Sequence, residues 1–100
     1  MTQPPLRGEP RRIVGRATGR VQGVGYRAFC ADVAMRLHVD GYARNLTDGE
    51  TVVFEAEADE PTLRSFVERL REGPPFSRVK DVEYRWEDAT GEFKGFETVI

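Results

Sequence analysis

Two stretches of this chain repeat their apolar residues at helical spacing, with strand-like segments before, between and after them, and few folds accommodate that order. In the first stretch Tyr26, Phe29, Cys30, Val33, Ala34 and Leu37 follow the i, i+3, i+4, i+7, i+8, i+11 spacing of one helix face. In the second, Asp59 is a candidate N-cap and Pro61 falls in the first turn. Leu63, Phe66, Val67 and Leu70 form the stripe, and Gly73-Pro74 end it. Between the helices, Val39 to Asn45 and Thr51 to Glu57 read as strands, and the Asp48-Gly49 pair between them supplies the positive φ that a hairpin turn needs.

The remaining segments complete the pattern. Arg12 to Gly19 reads as a first strand, with Gly15 as its weak point. Val79 to Trp86 alternates Val82, Tyr84 and Trp86 on one face with Asp81, Glu83 and Arg85 on the other. Phe93 to Val99, after the Ala89-Thr90-Gly91 turn, is a short extra C-terminal strand. The order β-α-β-β-α-β predicts an α+β fold, a ferredoxin-like sandwich with two helices on one face of an antiparallel sheet. Residues 1–10, Pro-rich and without apolar period, read as a flexible tail ahead of a domain spanning 11–100. One hundred residues, 39% of them apolar, support one core.

Composition narrows the function classes. No run reaches the roughly 18 apolar residues of a membrane span, the start lacks the apolar region of a secretory signal, and Cys30 has no second cysteine to bond. A cytoplasmic monomer is expected. The net charge of −2 argues against a general nucleic-acid binder. The charges segregate, however: residues 1–44 hold eight arginines against Glu9, Asp32 and Asp40, and the rest of the chain holds seven bases against fourteen acids. That distribution draws an anion to the first half, or is ordinary surface charge that happens to segregate.

The segment with chemical content is Gly19-Arg20-Val21-Gln22-Gly23-Val24-Gly25-Tyr26-Arg27, between the first strand and the first helix. Gly23 and Gly25 tolerate φ > 0 and carry no Cβ, so successive amides can converge on one anion at the helix N-terminus. Arg27 in the first helical turn opposes the helix dipole by roughly 0.3–1 kcal/mol, a conflict that a bound anion reverses. Its planar fork of donors suits phosphate. The residues alone leave a second reading open, a glycine turn followed by a surface arginine. Likewise Asn45 can simply end a strand before a turn. Cys30 lies on the apolar stripe and reads as core, and His38 follows the helix end.

The segment Gly19-x-Val21-Gln22-Gly23-Val24-x-Tyr26-Arg27 resembles the acylphosphatase signature, and Gly41-Tyr42-Ala43-Arg44-Asn45-Leu46-Thr47-Asp48-Gly49 resembles the second signature of that family. Glu72-Gly73-Pro74-Pro75-Phe76-Ser77-Arg78-Val79 and Phe93-x-x-Phe96-Glu97 are similar to its bacterial members. The resemblance implies hydrolysis of the carboxyl-phosphate bond of acyl phosphates without cofactor or metal. It implies phosphate binding by Arg27 with the loop Gln22, Gly23, Val24, Gly25 and Tyr26, and a catalytic Asn45 that orients the attacking water. Such a reaction demands little, because a carboxylate leaving group needs no protonation. Two departures stand out: Thr51 and Glu57 occupy positions where the family pattern expects Val and Gly, which puts the third strand's register in question. The chain also ends Val99-Ile100 in place of a final aromatic residue.

Overall fold

The computed structural model describes residues 8–100. Its elements are β1 (Pro10–Arg20), α1 (Tyr26–Leu37), β2 (Asp40–Asn45), β3 (Thr51–Asp59), α2 (Glu60–Glu72), β4 (Arg78–Asp88) and β5 (Phe96–Val99). The helices begin and end where their caps dictate. The Asp59 side chain accepts from the Thr62 amide at 2.9 Å, Pro61 lies in the first turn, and Gly73 closes α2. At the end of α1, His38 adopts a left-handed conformation, and the Val39 amide donates to the Ala34 carbonyl at 2.8 Å. No helix among the described residues is long and apolar enough to cross a membrane.

The sheet order is β4-β1-β3-β2-β5. One face carries both helices: Ile13, Ala17, Ala43, Val52, Phe54 and Ala56 from the strands meet Val33, Leu63, Phe66 and Leu70, all fully buried. Each such large aliphatic or aromatic side chain contributes roughly 1.5–3 kcal/mol. Phe54 packs edge-on to Phe66 with ring centroids 6.1 Å apart. Gly15 is its counterpart across the ladder: a Cβ there would lie 2.6 Å from Phe54 Cζ and 2.5 Å from the Glu83 carbonyl oxygen. The expected weak point of β1 is therefore where the central strand makes room for the core's aromatic ring.

Three expectations change. The tail reading falls mainly on residues 1–7, which lie outside the described residues, but Pro10 already pairs with Asp59 as the first residue of β1. The sheet is mixed rather than antiparallel throughout, because β5 runs parallel to β2. The reason is topological: β4 and β5 occupy opposite edges, so residues 89–95 cross one end of the sheet. From that end β5 and β2 both run away. Finally, the last strand begins at Phe96 instead of Phe93. Phe93 remains in the crossing segment, under the Arg12 guanidinium at 4.6 Å from its ring centroid.

The departures at Thr51 and Glu57 have structural causes. Thr51 pairs with Thr18 and its hydroxyl donates to Asp48 in the hairpin turn, with Val52 fully buried beside it. Glu57, only 6% exposed, accepts from Arg12 Nε at 2.7 Å and from the amides of Thr90 and Gly91 at 3.0 and 3.1 Å. Arg12 also donates to Thr90 Oγ1 at 2.6 Å, to Glu55 at 3.2 Å and to Glu92. This cluster fastens the crossing segment to β1 and β3. Burial alone would raise the Glu57 carboxyl, but the donors from Thr90, Arg12 and Gly91 together outweigh it and hold the group below its ordinary value. Its contribution is thus complete above about pH 4.5 and is lost as the pH falls through the lower folded value. Glu57→Ala should destabilise the protein by about 3 kcal/mol at pH 7, since it leaves Arg12 Nε and the amides of Thr90 and Gly91 without their acceptor. Thermal melts of variant and wild type should converge as the pH is taken to about 2.

Candidate active site

The phosphate-loop candidate connects β1 to α1 at the end of the sheet opposite the crossing segment. Gly23 and Gly25 take φ of 72° and 80°, and a Cβ on either would meet no atom within 4 Å. Glycine is required there by backbone conformation, and the space beside both residues stays open to a ligand. Gly25 caps α1 without any side-chain hydrogen bond, and the first turn holds no acidic residue. Among the described residues, no backbone N–H from Gln22 to Ala28 donates to a protein acceptor. A row of unspent donors at the positive end of a helix is an anion site in waiting.

Val21, Gly23, Gly25, Tyr26, Arg27, Ala28, Asn45 and Thr98 line a cavity of about 220 Å³. The loop and Asn45, 18 residues downstream of Arg27 in sequence, are held together by Gln22. Its Nε2 donates to the Leu46 carbonyl at 2.8 Å and the Thr51 carbonyl at 2.9 Å, clamping the loop onto the β2–β3 hairpin. Asn45 ends β2 opposite Val52, and its Oδ1 is buried with no hydrogen-bond partner in the described protein. An unmet buried acceptor costs about 1–3 kcal/mol, and it belongs to a residue that lines the same cavity as Arg27. The Arg27 guanidinium spends one donor, Nη1, on the Val99 carbonyl at 2.7 Å, which braces it against β5 and leaves the rest of the fork available.

The expected loop residues thus divide. Gly23, Gly25, Tyr26 and Arg27 border the cavity, whereas Gln22 turns its side chain to the hairpin and Val24 packs against the core. Tyr26 presents only part of itself to the cavity: its side chain is buried, and its hydroxyl donates to the Leu70 carbonyl at 2.7 Å. Thr98 was not anticipated. Its place beside the site follows from the β2–β5 pairing, for which periodicity offers no signal. The segregated charge of the first half does not converge on the loop as a whole, since Arg11, Arg12, Arg16 and Arg36 are engaged with Glu60, Glu57, Glu83 and Asp32. Larger depressions of about 490 and 580 Å³ lie on the open sheet face and beside Met35 and His38, without such a set of unspent donors.

The profile of the acylphosphatase family matches residues 13–98. The chain belongs to that family. An acylphosphatase of Salinibacter ruber is 46% identical over 89 residues, covering 89% of this chain and 93% of the relative. One of Thermus thermophilus is 46% identical over 85 residues, covering 85% and 94%. The fold agrees: the crystal structure of the Bacillus subtilis acylphosphatase is similar with a TM-score of 0.83 and 33% identity, over 90% of this chain and 99% of that one. Full-length HypF, in a phosphate- and nucleotide-bound form, contains a similar unit at TM-score 0.81 and 27% identity, covering 92% of this chain but 12% of HypF. The protein is accordingly an acylphosphatase, a hydrolase of acyl phosphates.

Cys30 is no nucleophile in this acylphosphatase: it is fully buried in the core, and burial pushes its thiol up to about 12. Iodoacetamide at pH 8 should leave the native protein unlabelled and label it fully after denaturation, as read by mass spectrometry. Gln22→Ala should unclamp the loop and lower kcat/KM by about tenfold with little loss of stability, measured by steady-state kinetics beside a thermal melt.

Proposed function

We propose that Arg27 and the amides at the start of α1 hold the phosphoryl group while Asn45 positions the water that attacks it. The observation that carries this reading is the pairing, across one cavity, of unspent donors with a buried unspent acceptor. Phosphoryl oxygens match the donors, and a water proton matches Asn45 Oδ1. The water oxygen bonds to phosphorus as the phosphorus–oxygen bond to the acyl group breaks. The carboxylate departs without a proton, and the proton of the water passes to the phosphate. Arg27 and the helix amides counter the charge carried by the phosphoryl oxygens, and the rigid placement of Asn45 removes the orientational cost.

These steps call on no metal, no covalent intermediate and no titrating side chain. A cytoplasmic monomer is the reading that fits a buried free thiol and a site whose groups all come from one chain. Nucleic acid is not a partner in this reading: Tyr84 and Trp86, the aromatics that could stack bases, pack against the helix-side core, and Phe96 packs on Phe66.

Two variants separate binding from chemistry. Arg27→Ala should abolish phosphate binding, followed by calorimetry or phosphorus NMR, together with acetyl phosphate turnover. Asn45→Ala should keep phosphate affinity while kcat falls about a hundredfold or more. Undiminished turnover by Arg27→Ala overturns the assignment, and wild-type activity should persist in a chelator.

A further inference from the structure

Thr98 borders the cavity together with Arg27 and Asn45, and strand register fixes the face on which it stands. Its partner in the β2–β5 pairing is Ala43, which is fully buried in the core under the helices. Directly paired residues share a face of the sheet, as do residues two apart on one strand. Thr98 therefore stands on the helix-bearing face, and so does Asn45, two residues beyond Ala43. The parity agrees with Phe96, two residues before Thr98, which packs on Phe66 of α2 with ring centroids 5.8 Å apart.

Both side chains carry polar atoms without partners. Asn45 Oδ1 is buried and accepts no hydrogen bond among the described residues, and the Thr98 hydroxyl forms none there either. The two are not bonded to each other. A spacing of about 4.8 Å between strands and a rise of about 3.3 Å per residue put their Cα atoms about 8 Å apart. Side chains reaching in from that separation leave room for one bridging water, with O···O contacts of about 2.8 Å on each side. The next residue of β5, Val99, accepts from Arg27 Nη1 at 2.7 Å. One short strand thus sets the hydroxyl and the guanidinium at a fixed separation.

We propose that the Thr98 hydroxyl is the second protein group that holds the attacking water, donating to the water oxygen while the water donates to Asn45 Oδ1. This role rests on Asn45 being the residue that positions the water. A water anchored at Asn45 alone still rotates about that one hydrogen bond, so its lone pair points at phosphorus only part of the time. A second fixed contact removes the rotation. The four tetrahedral directions of the water are then all assigned. One proton goes to Asn45 and the other to the phosphoryl group that finally takes it, while one lone pair accepts from Thr98 and one attacks phosphorus. Thr98 neither gains nor loses a proton, and no bond to it forms or breaks. Threonine suits the task because its branched side chain restricts χ1 and holds the hydroxyl in few directions.

Thr98→Val replaces the hydroxyl by a methyl of nearly the same shape at an exposed position. With acetyl phosphate its kcat should fall about tenfold, while the inhibition constant of inorganic phosphate and the melting temperature stay at their wild-type values. Thr98→Ser, which returns the hydroxyl, should recover most of the loss. In an Asn45→Ala background, Thr98→Val should lower kcat further by less than about twofold, since both groups act on one water. A kcat for Thr98→Val within about twofold of wild type overturns the proposal. So does a phosphate inhibition constant that rises along with the loss, which would put the hydroxyl on the phosphoryl oxygens instead. A Thr98→Ser variant that recovers nothing, or a full second loss on top of that of Asn45→Ala, overturns it as well. Undiminished kcat in Asn45→Ala alone would instead overturn the reading of Asn45.

Discussion

Arg12 and Glu57, buried side by side on the two central strands, hold the segment that lets the chain close on itself. After β4 the backbone must travel from one edge of the sheet to the other, and residues 89–95 do so across an end where β1 and β3 offer no apolar cover. Thr90 and Gly91 donate their amides to Glu57, and Thr90 and Glu92 accept from Arg12. Phe93 then packs under the guanidinium and edge-on to Tyr42. A buried ion pair of this kind is costly to desolvate, and it is sustained because its remaining donors and acceptors are met by the crossing backbone. The consequence is functional. The crossing segment delivers β5 along β2, and β5 brings Thr98 to the cavity and the Val99 carbonyl to Arg27.

At the other end of the sheet the same chain leaves its groups unspent. The helix start has neither a side-chain cap nor an acid, an arginine sits where the dipole disfavours it, and Asn45 keeps a buried oxygen without a partner in the described protein. Each is a small loss of stability, and under the function proposed above each turns into binding or orientation once a phosphoryl group and a water occupy the cavity. The protein therefore concentrates its satisfied polar network at one pole and its unsatisfied groups at the other, with a fully buried core between them.

Much of this was legible along the chain. Local rules sufficed for both helices, because Asp59, Pro61, Gly73 and the 3.6-residue stripes act over a few residues. The hairpin likewise followed from Asp48-Gly49, and Arg27 and Asn45 from two short signatures in order. What escaped was relational. Tyr26 belongs to the loop by sequence and to the core by its side chain. Gln22 is a clamp rather than a lining residue, Gly15 is a seat for Phe54, and Thr98 reaches the site only through β5.

The sequence by itself determined the elements, their order, the single core and the glycine loop that can cradle an anion, since periodicity, caps and turn residues are short-range and additive. Only the tertiary structure decided that β5 runs parallel to β2, that Glu57 is a buried partner of Arg12, and that Arg27 reaches the cavity without a carboxylate partner among the described residues. Those facts depend on which strands become neighbours, and long-range pairing is set by the packing of whole faces against one another rather than by any local pattern.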